Sequence, residues 1–85
     1  MYNIAFIMKS NLRRHVLELV QKPKTAKMIS KELRKHIQSI SRTLIEMEKK
    51  NMVKCVNPKD DRFRFYQITT KGESVLKKVK EIEGN

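Results

Sequence analysis

The 85 residues carry 20 Lys and Arg against 9 Asp and Glu, a formal net charge of +11, with 39% hydrophobic residues, two glycines and a single cysteine. This length makes one small domain, 1–85, whose core is marginal for a monomer, and the charge is that of a polyanion binder whose affinity falls steeply with salt. One cysteine excludes an internal disulfide, Gly72 and Gly84 alone make no Gly-rich phosphate loop, and no apolar run reaches membrane-spanning length, so a cytoplasmic protein is expected.

Residues 1–9 form an N-terminal segment of mixed signal. Tyr2, Ile4, Phe6 and Met8 alternate as a strand would, but Ala5 and Ile7 break the alternation, and a short helix packed on the core is the expectation. Apolar residues at a terminus need a cover, which a dimer partner could supply. Ser10 then caps a helix from Asn11 to Val20 or Gln21 with Leu12, Val16, Leu17 and Val20 as its stripe. Arg13 and Arg14 lie off that stripe, where they flank a ligand or pair with Glu18, and Pro23 stops the helix.

Thr25 caps a second helix over Ala26–Leu33, with Ala26, Ile29 and Leu33 facing inward and Lys27, Lys31, Arg34 and Lys35 outward. Met28 stands where an acidic residue would complement the cap. The turn Arg34-Lys35-His36 contains no glycine, so the backbone manages without a cheap left-handed residue unless Arg34 accepts some strain there.

The stretch His36–Lys50 organises the chain. Ile37, Ile40, Leu44 and Met47 fall on one helical face, and Gln38, Arg42 and Lys49 on the other, with Ser39, Ile45 and Glu46 beside them. An amide, a guanidinium, a hydroxyl and an ammonium on one face suit base edges and phosphates. Arg42 can bond guanine O6 and N7 together, and Gln38 can pair with adenine. Ser39 and Ser41 are short enough for phosphate, His36 can donate to one from the turn, and Lys35 and Lys49 add charge. Asn51 replaces glycine as the C-terminal cap.

Met52–Val56 reads as a strand, Asn57-Pro58-Lys59-Asp60-Asp61 as a turn, and Arg62–Ile68 as a returning strand in strict alternation. Residues 52–69 are thus a hairpin with a charged tip, in which Cys55 shares the buried face of Val53. Thr70-Lys71-Gly72-Glu73 has capping-box spacing and opens a last helix over 71–82 with Val75, Leu76, Val79 and Ile82 as its stripe. That stripe, with the N-terminal segment, is the expected dimer surface. Gly84-Asn85 is expected to fray.

One cysteine and two histidines in three different elements provide no metal cluster, and no nucleophile–base or carboxylate pair occurs at useful spacing. Neither an enzyme nor a resident cofactor or metal is expected. A core this small leaves little room for an effector pocket, so control by abundance is the simpler scheme.

Helix, helix, tight turn, helix, hairpin and closing helix is the order of an α+β winged helix-turn-helix: a three-helix core, a two-stranded wing and a C-terminal helix. Over Ser10–Lys78 the chain resembles the small archaeal winged-helix transcriptional regulators of the arsenical-repressor-like and multiple-antibiotic-resistance-regulator-like group. The matching stretches are Ser10–Arg14, Ile29–Leu33, Ile40–Leu44, Met47–Val53, Lys54–Pro58 and Tyr66–Gly72. The chain departs from the group's usual Gly-Leu-Val at Asn51-Met52-Val53, and it carries Phe63 where a small wing residue is common.

The resemblance implies double-stranded DNA as partner and a two-fold homodimer on a pseudo-palindromic site. It implies a helix-turn-helix over 25–50 with the third helix in the major groove. Gln38, Ser39, Arg42 and Thr43 become the base contacts, and Lys59, Arg62 and Arg64 the wing contacts to backbone or minor groove. Two alternatives stand beside this: an architectural winged helix with little sequence preference, and a protein- or RNA-interaction module.

Overall fold

A computed structural model describes residues 2–84; Met1 and Asn85, the outer ends of the expected N-terminal segment and of the frayed terminus, lie outside the described residues. The elements in chain order are α1 (Tyr2–Met8), α2 (Asn11–Leu19), β1 (Lys24–Thr25), α3 (Ala26–Leu33), α4 (Ile37–Lys49), β2 (Val53–Cys55), β3 (Phe65–Ile68) and α5 (Thr70–Ile82). The class is the expected α+β winged helix. The N-terminal segment is helical, and α2, α3 and α4 form the three-helix core.

Local chemistry sets the boundaries. Ser10 Oγ accepts the Arg13 amide at 3.2 Å to start α2. Thr25 Oγ1 accepts the Met28 amide at 3.1 Å, and the Met28 sulfur in turn accepts the Thr25 amide at 3.5 Å. The thioether therefore takes the place of the missing carboxylate in the capping box, with weaker acceptor chemistry and no charge for the dipole. Arg34 leaves α3 in the left-handed region at φ 55°, and its amide and that of Lys35 both bond the Ser30 carbonyl. Asn51 does the same after α4 at φ 62°, where asparagine tolerates the conformation best after glycine.

The sheet has one more strand than the sequence shows. The order is β1-β3-β2, all antiparallel, with Lys24 opposite Tyr66, Thr25 opposite Phe65, and Val53 opposite Ile68. Lys24 and Thr25, next to Pro23, read as a helix stop and a cap, because two residues carry no periodicity. Only the returning β3 makes them a strand. The wing strands are also shorter than the alternation implies: residues 62–64 leave the ladder, and the tip is held by side chains.

The core gathers Ile7 of α1, Val16, Leu17 and Val20, Ile29, then Ile40, Leu44 and Met47 of α4, Met52, Val53 and Ile68 of the sheet, and Val75, Leu76 and Val79 of α5. Each such side chain contributes about 1.5–3 kcal/mol by leaving water. Four expectations are corrected here. The α5 stripe is spent inside the chain: α1 packs against α5, so Val75, Leu76 and Val79 are covered in cis, and of the expected dimer stripe only Ile82 stays exposed. The cap of α5 is Thr69 rather than Thr70, with Thr69 Oγ1 accepting the Gly72 amide at 3.0 Å. Ile37 is not on the buried face, being 43% exposed, and Thr43 takes its place at 5% exposed. Cys55 is half-buried, unlike Val53, and its thiol donates to Asn57 Oδ1 at 3.6 Å.

Candidate nucleic-acid interface

Three elements meet on one side of the molecule: the start of α3, the outward face of α4 and the wing. Helix α4 is locked by Ile40, Leu44 and Met47 in the core, which turns Gln38, Arg42 and Lys49 to solvent. Among the described residues neither Gln38 nor Arg42 has a side-chain partner. Three other cations are engaged. Arg13 donates to the Phe6 carbonyl at 3.0 Å, stacks 3.8 Å from the Phe6 ring and reaches Glu46 at 3.7 Å. Arg14 binds Glu83 at 2.6 Å, and Lys24 binds Glu32 at 3.0 Å. Thus Arg13 and Arg14 pair with Glu46 and Glu83 rather than with Glu18. Glu46, beside the outward face of α4, is the acid that Arg13 reaches.

At the other expected readers the structure discriminates. Ser39 is half-buried and its carbonyl accepts the Thr43 hydroxyl at 2.9 Å. Thr43 is removed from the base-contacting set: its hydroxyl is satisfied inside its own helix and its methyl faces the core. The turn before α4 places Lys31, Arg34, Lys35, His36, Gln38 and Ser39 around one shallow cleft. His36 caps α4 by backbone alone, with no side-chain hydrogen bond, so its imidazole is exposed at the positive end of the helix. Lys35 is exposed, while its carbonyl accepts from Ser30 Oγ.

In the wing, Lys59, Arg62 and Arg64 are all exposed. The tip holds its shape through two side chains. Asn57 Oδ1 accepts the Phe65 amide at 2.7 Å while Asn57 Nδ2 donates to the Phe63 carbonyl at 2.6 Å. Asp60 Oδ1 accepts the Arg62 and Phe63 amides at 2.8 and 2.9 Å. The Phe63 and then the Arg62 N–H hold the Asp60 carboxyl below its ordinary range. The neighbouring Cys55 side chain, then Tyr66, raise the Arg64 pKa above its ordinary value.

Between these elements runs a groove of about 680 Å³. Ser41, Arg62 and Arg64 line it together, whereas Lys49 and Lys59 lie away from it. Its other basic residues, Lys27 and Lys31, were not among the expected contacts; their i,i+4 spacing on the exposed side of α3 was the available signal. Of the apolar residues of the groove, Met28, Ile37 and Phe63 were not among them either, whereas Ile45 is outward on the helical wheel. Among the described residues no group of three or more His, Cys, Asp or Glu side chains gathers as metal ligands do, and no helix is long and apolar enough to cross a membrane.

This geometry defines a winged helix of the kind found in MarR-family transcription regulators. The solved MarR family transcription regulator SP03579 superposes with a TM-score of 0.78 at 24% identity, over 96% of this chain and 56% of its own. The transcriptional regulator BldR from Sulfolobus solfataricus gives 0.78 at 23% identity, over 94% and 60%. A variant of S. aureus MepR bound to an oligodeoxyribonucleotide gives 0.77 at 22% identity, over 95% and 62%. The chain therefore spans little more than half the length of the structures it resembles. It matches no protein-family model and no curated protein.

Proposed function

We propose that the chain is a sequence-specific double-stranded DNA-binding transcriptional regulator, of the small archaeal kind its sequence resembles, acting as a homodimer. The observation that carries this reading is the sorting of cations. Arg13, Arg14 and Lys24 are engaged by Glu46, Glu83 and Glu32, while Arg42 and the amide of Gln38 stand exposed and, among the described residues, unpartnered on a helix fixed by the core, beside a basic turn and a basic wing. The likeness to DNA-binding winged helices supports it, MepR having been solved on an oligodeoxyribonucleotide.

In this reading α4 lies in the major groove. Arg42 bonds guanine O6 and N7, Gln38 an adenine edge, and Ser39 stands at the groove wall. His36, Lys35, Ser41 and Lys49 hold phosphates around the helix, and Lys59, Arg62 and Arg64 hold them from the wing on the backbone or in the minor groove. Phosphate contacts set the register and base contacts carry the sequence. Half-sites in a dimer would lie about one helical turn apart.

Selection of bound sites from random duplex DNA at two salt concentrations tests the reading. A defined motif should emerge, with affinity falling steeply as salt rises. Arg42→Ala should then lose discrimination at one base pair, by about 1–3 kcal/mol, without loss of fold. An equal loss on every sequence would instead mean an architectural protein, for which the net charge of +11 already provides the non-specific affinity. Sedimentation showing a monomer at micromolar concentration on and off DNA would remove the homodimer.

A further inference from the structure

Seven large hydrophobic side chains are exposed among the described residues, and four of them, Met28, Ile37, Ile45 and Phe63, line the groove between α3, α4 and the wing. Two of these, Ile37 and Ile45, are 43% and 49% exposed and belong to the helix that carries Gln38 and Arg42. With Ser41 between them they occupy positions i, i+4 and i+8, so the two isoleucines lie on one ridge of α4 on either side of the serine, with Ile45 next to Arg42 at i+3. The core does not need them, since Ile40, Thr43, Leu44 and Met47 complete the buried face. Exposed isoleucines on a face that binds a polyanion are complemented by an apolar group of that polyanion.

We infer that Ile37 and Ile45 read thymine through its C5-methyl group. This rests on the DNA reading above and adds to it a base identity that the polar residues do not specify. The chemistry of the site matches that of a duplex. Lys27, Lys31, Arg62 and Arg64, which suit phosphates, line the same groove as Ile37 and Ile45. In the major groove the thymine methyl is the one apolar group on the base edges, and it lies between the two phosphate backbones. Ile37 and Ile45 are about 12 Å apart along the helix axis at 1.5 Å per residue. They therefore address two thymines about three or four base pairs apart at 3.4 Å per base pair. The flat, branched side chain of isoleucine is held stiffly at χ1 in a helix, so little rotamer freedom is lost when a methyl group settles against it.

The test replaces thymine by uracil, which removes the methyl group and leaves every hydrogen-bonding atom in place. In a site selected by the full chain, each thymine under α4 is changed singly to uracil and affinity is measured at fixed salt. Two positions should weaken about fourfold each, the scale of burying one methyl group. Ile45→Ala should bind thymine and uracil equally at one of these positions and Ile37→Ala at the other, with both variants folded by circular dichroism because both side chains are exposed. The inference is overturned if the wild-type chain does not distinguish uracil from thymine anywhere, if selected sites hold no thymine under α4, or if both preferences survive in the alanine variants. Those outcomes leave DNA binding itself standing. Failure to select any DNA overturns the DNA reading and the inference together.

Discussion

The junction between α4 and α5 and the tip of the wing are held together in opposite ways. At the junction the backbone itself is packed. The Thr69 amide bonds the Met52 carbonyl at 3.0 Å, Thr69 Oγ1 bonds the Asn51 carbonyl at 2.6 Å, and the Met52 amide closes on the Met47 carbonyl at 2.9 Å. Met52 and Val53 are buried beside Ile68 and Val79. At the wing tip, residues 58–64 are all exposed, and the loop is shaped by the amide of Asn57 and the carboxylate of Asp60. The junction therefore carries global stability and fixes where α4 points. The wing carries charge on a local polar scaffold that can loosen without unfolding the domain.

The largest effect that would sharpen this contrast comes from Gly72→Ala. A Cβ at position 72 would stand 2.2 Å from the Met52 carbonyl oxygen and 2.7 Å from Ile68 Cγ1. The first obstacle is buried backbone that cannot swing aside, so α5 must move off the sheet. A loss of about 3 kcal/mol is expected in urea denaturation, at the upper end of overpacking costs. A loss below about 1 kcal/mol would show that the junction is looser than its contacts imply.

A smaller effect belongs to Asn57→Ala. It deletes two short hydrogen bonds, yet the groups released are near water, so about 1 kcal/mol of global stability is expected. The Phe65 amide should exchange with solvent much faster, and DNA affinity should fall while the selected motif stays the same. A change of motif would mean that the wing reads bases.

The smallest effect is a pH response confined to the tip. Folding lowers the Asp60 pKa through the Phe63 and Arg62 N–H groups, so the carboxylate's contribution is fully present above the ordinary aspartate value and is lost as pH falls through the lowered one. The Arg62 and Phe63 amide resonances should titrate together with a midpoint below the ordinary aspartate value, while the core resonances hold still. A midpoint at or above that value, or core resonances moving with it, would contradict the contrast between the two regions.

Most of the architecture was legible in the sequence, and the misses share one cause. Caps and stops read correctly at Ser10, Thr25, Arg34 and Asn51, because a cap depends on residues within one turn of it. The cap of α5 was displaced by one residue because Thr69 and Thr70 are chemically alike. The choice between them falls to the Asn51 carbonyl, 18 positions away. The face of α4 was rotated slightly. A wheel drawn from hydropathy centres on isoleucine and sets threonine aside, whereas the surrounding helices cover Thr43 and leave Ile37 beyond the edge of the core. For the candidate site, the outward Gln38 and Arg42 followed from periodicity. The groove did not, since Met28, Ile37, Ile45 and Phe63 come from three separate elements.

The sequence by itself determined the number and type of the five helices, the hairpin, the strongly basic character and the outward Gln38 and Arg42 on α4. Periodicity, capping and charge are properties of neighbouring residues and survive without a fold. Only the tertiary structure decided that Lys24 and Thr25 join the sheet, that α1 covers the α5 stripe, that Arg13 and Arg14 are spent on Glu46, Phe6 and Glu83, and that four apolar side chains open onto one groove. Each of these is a pairing between distant segments. Which partner wins depends on which surfaces folding brings together, and no local pattern records that.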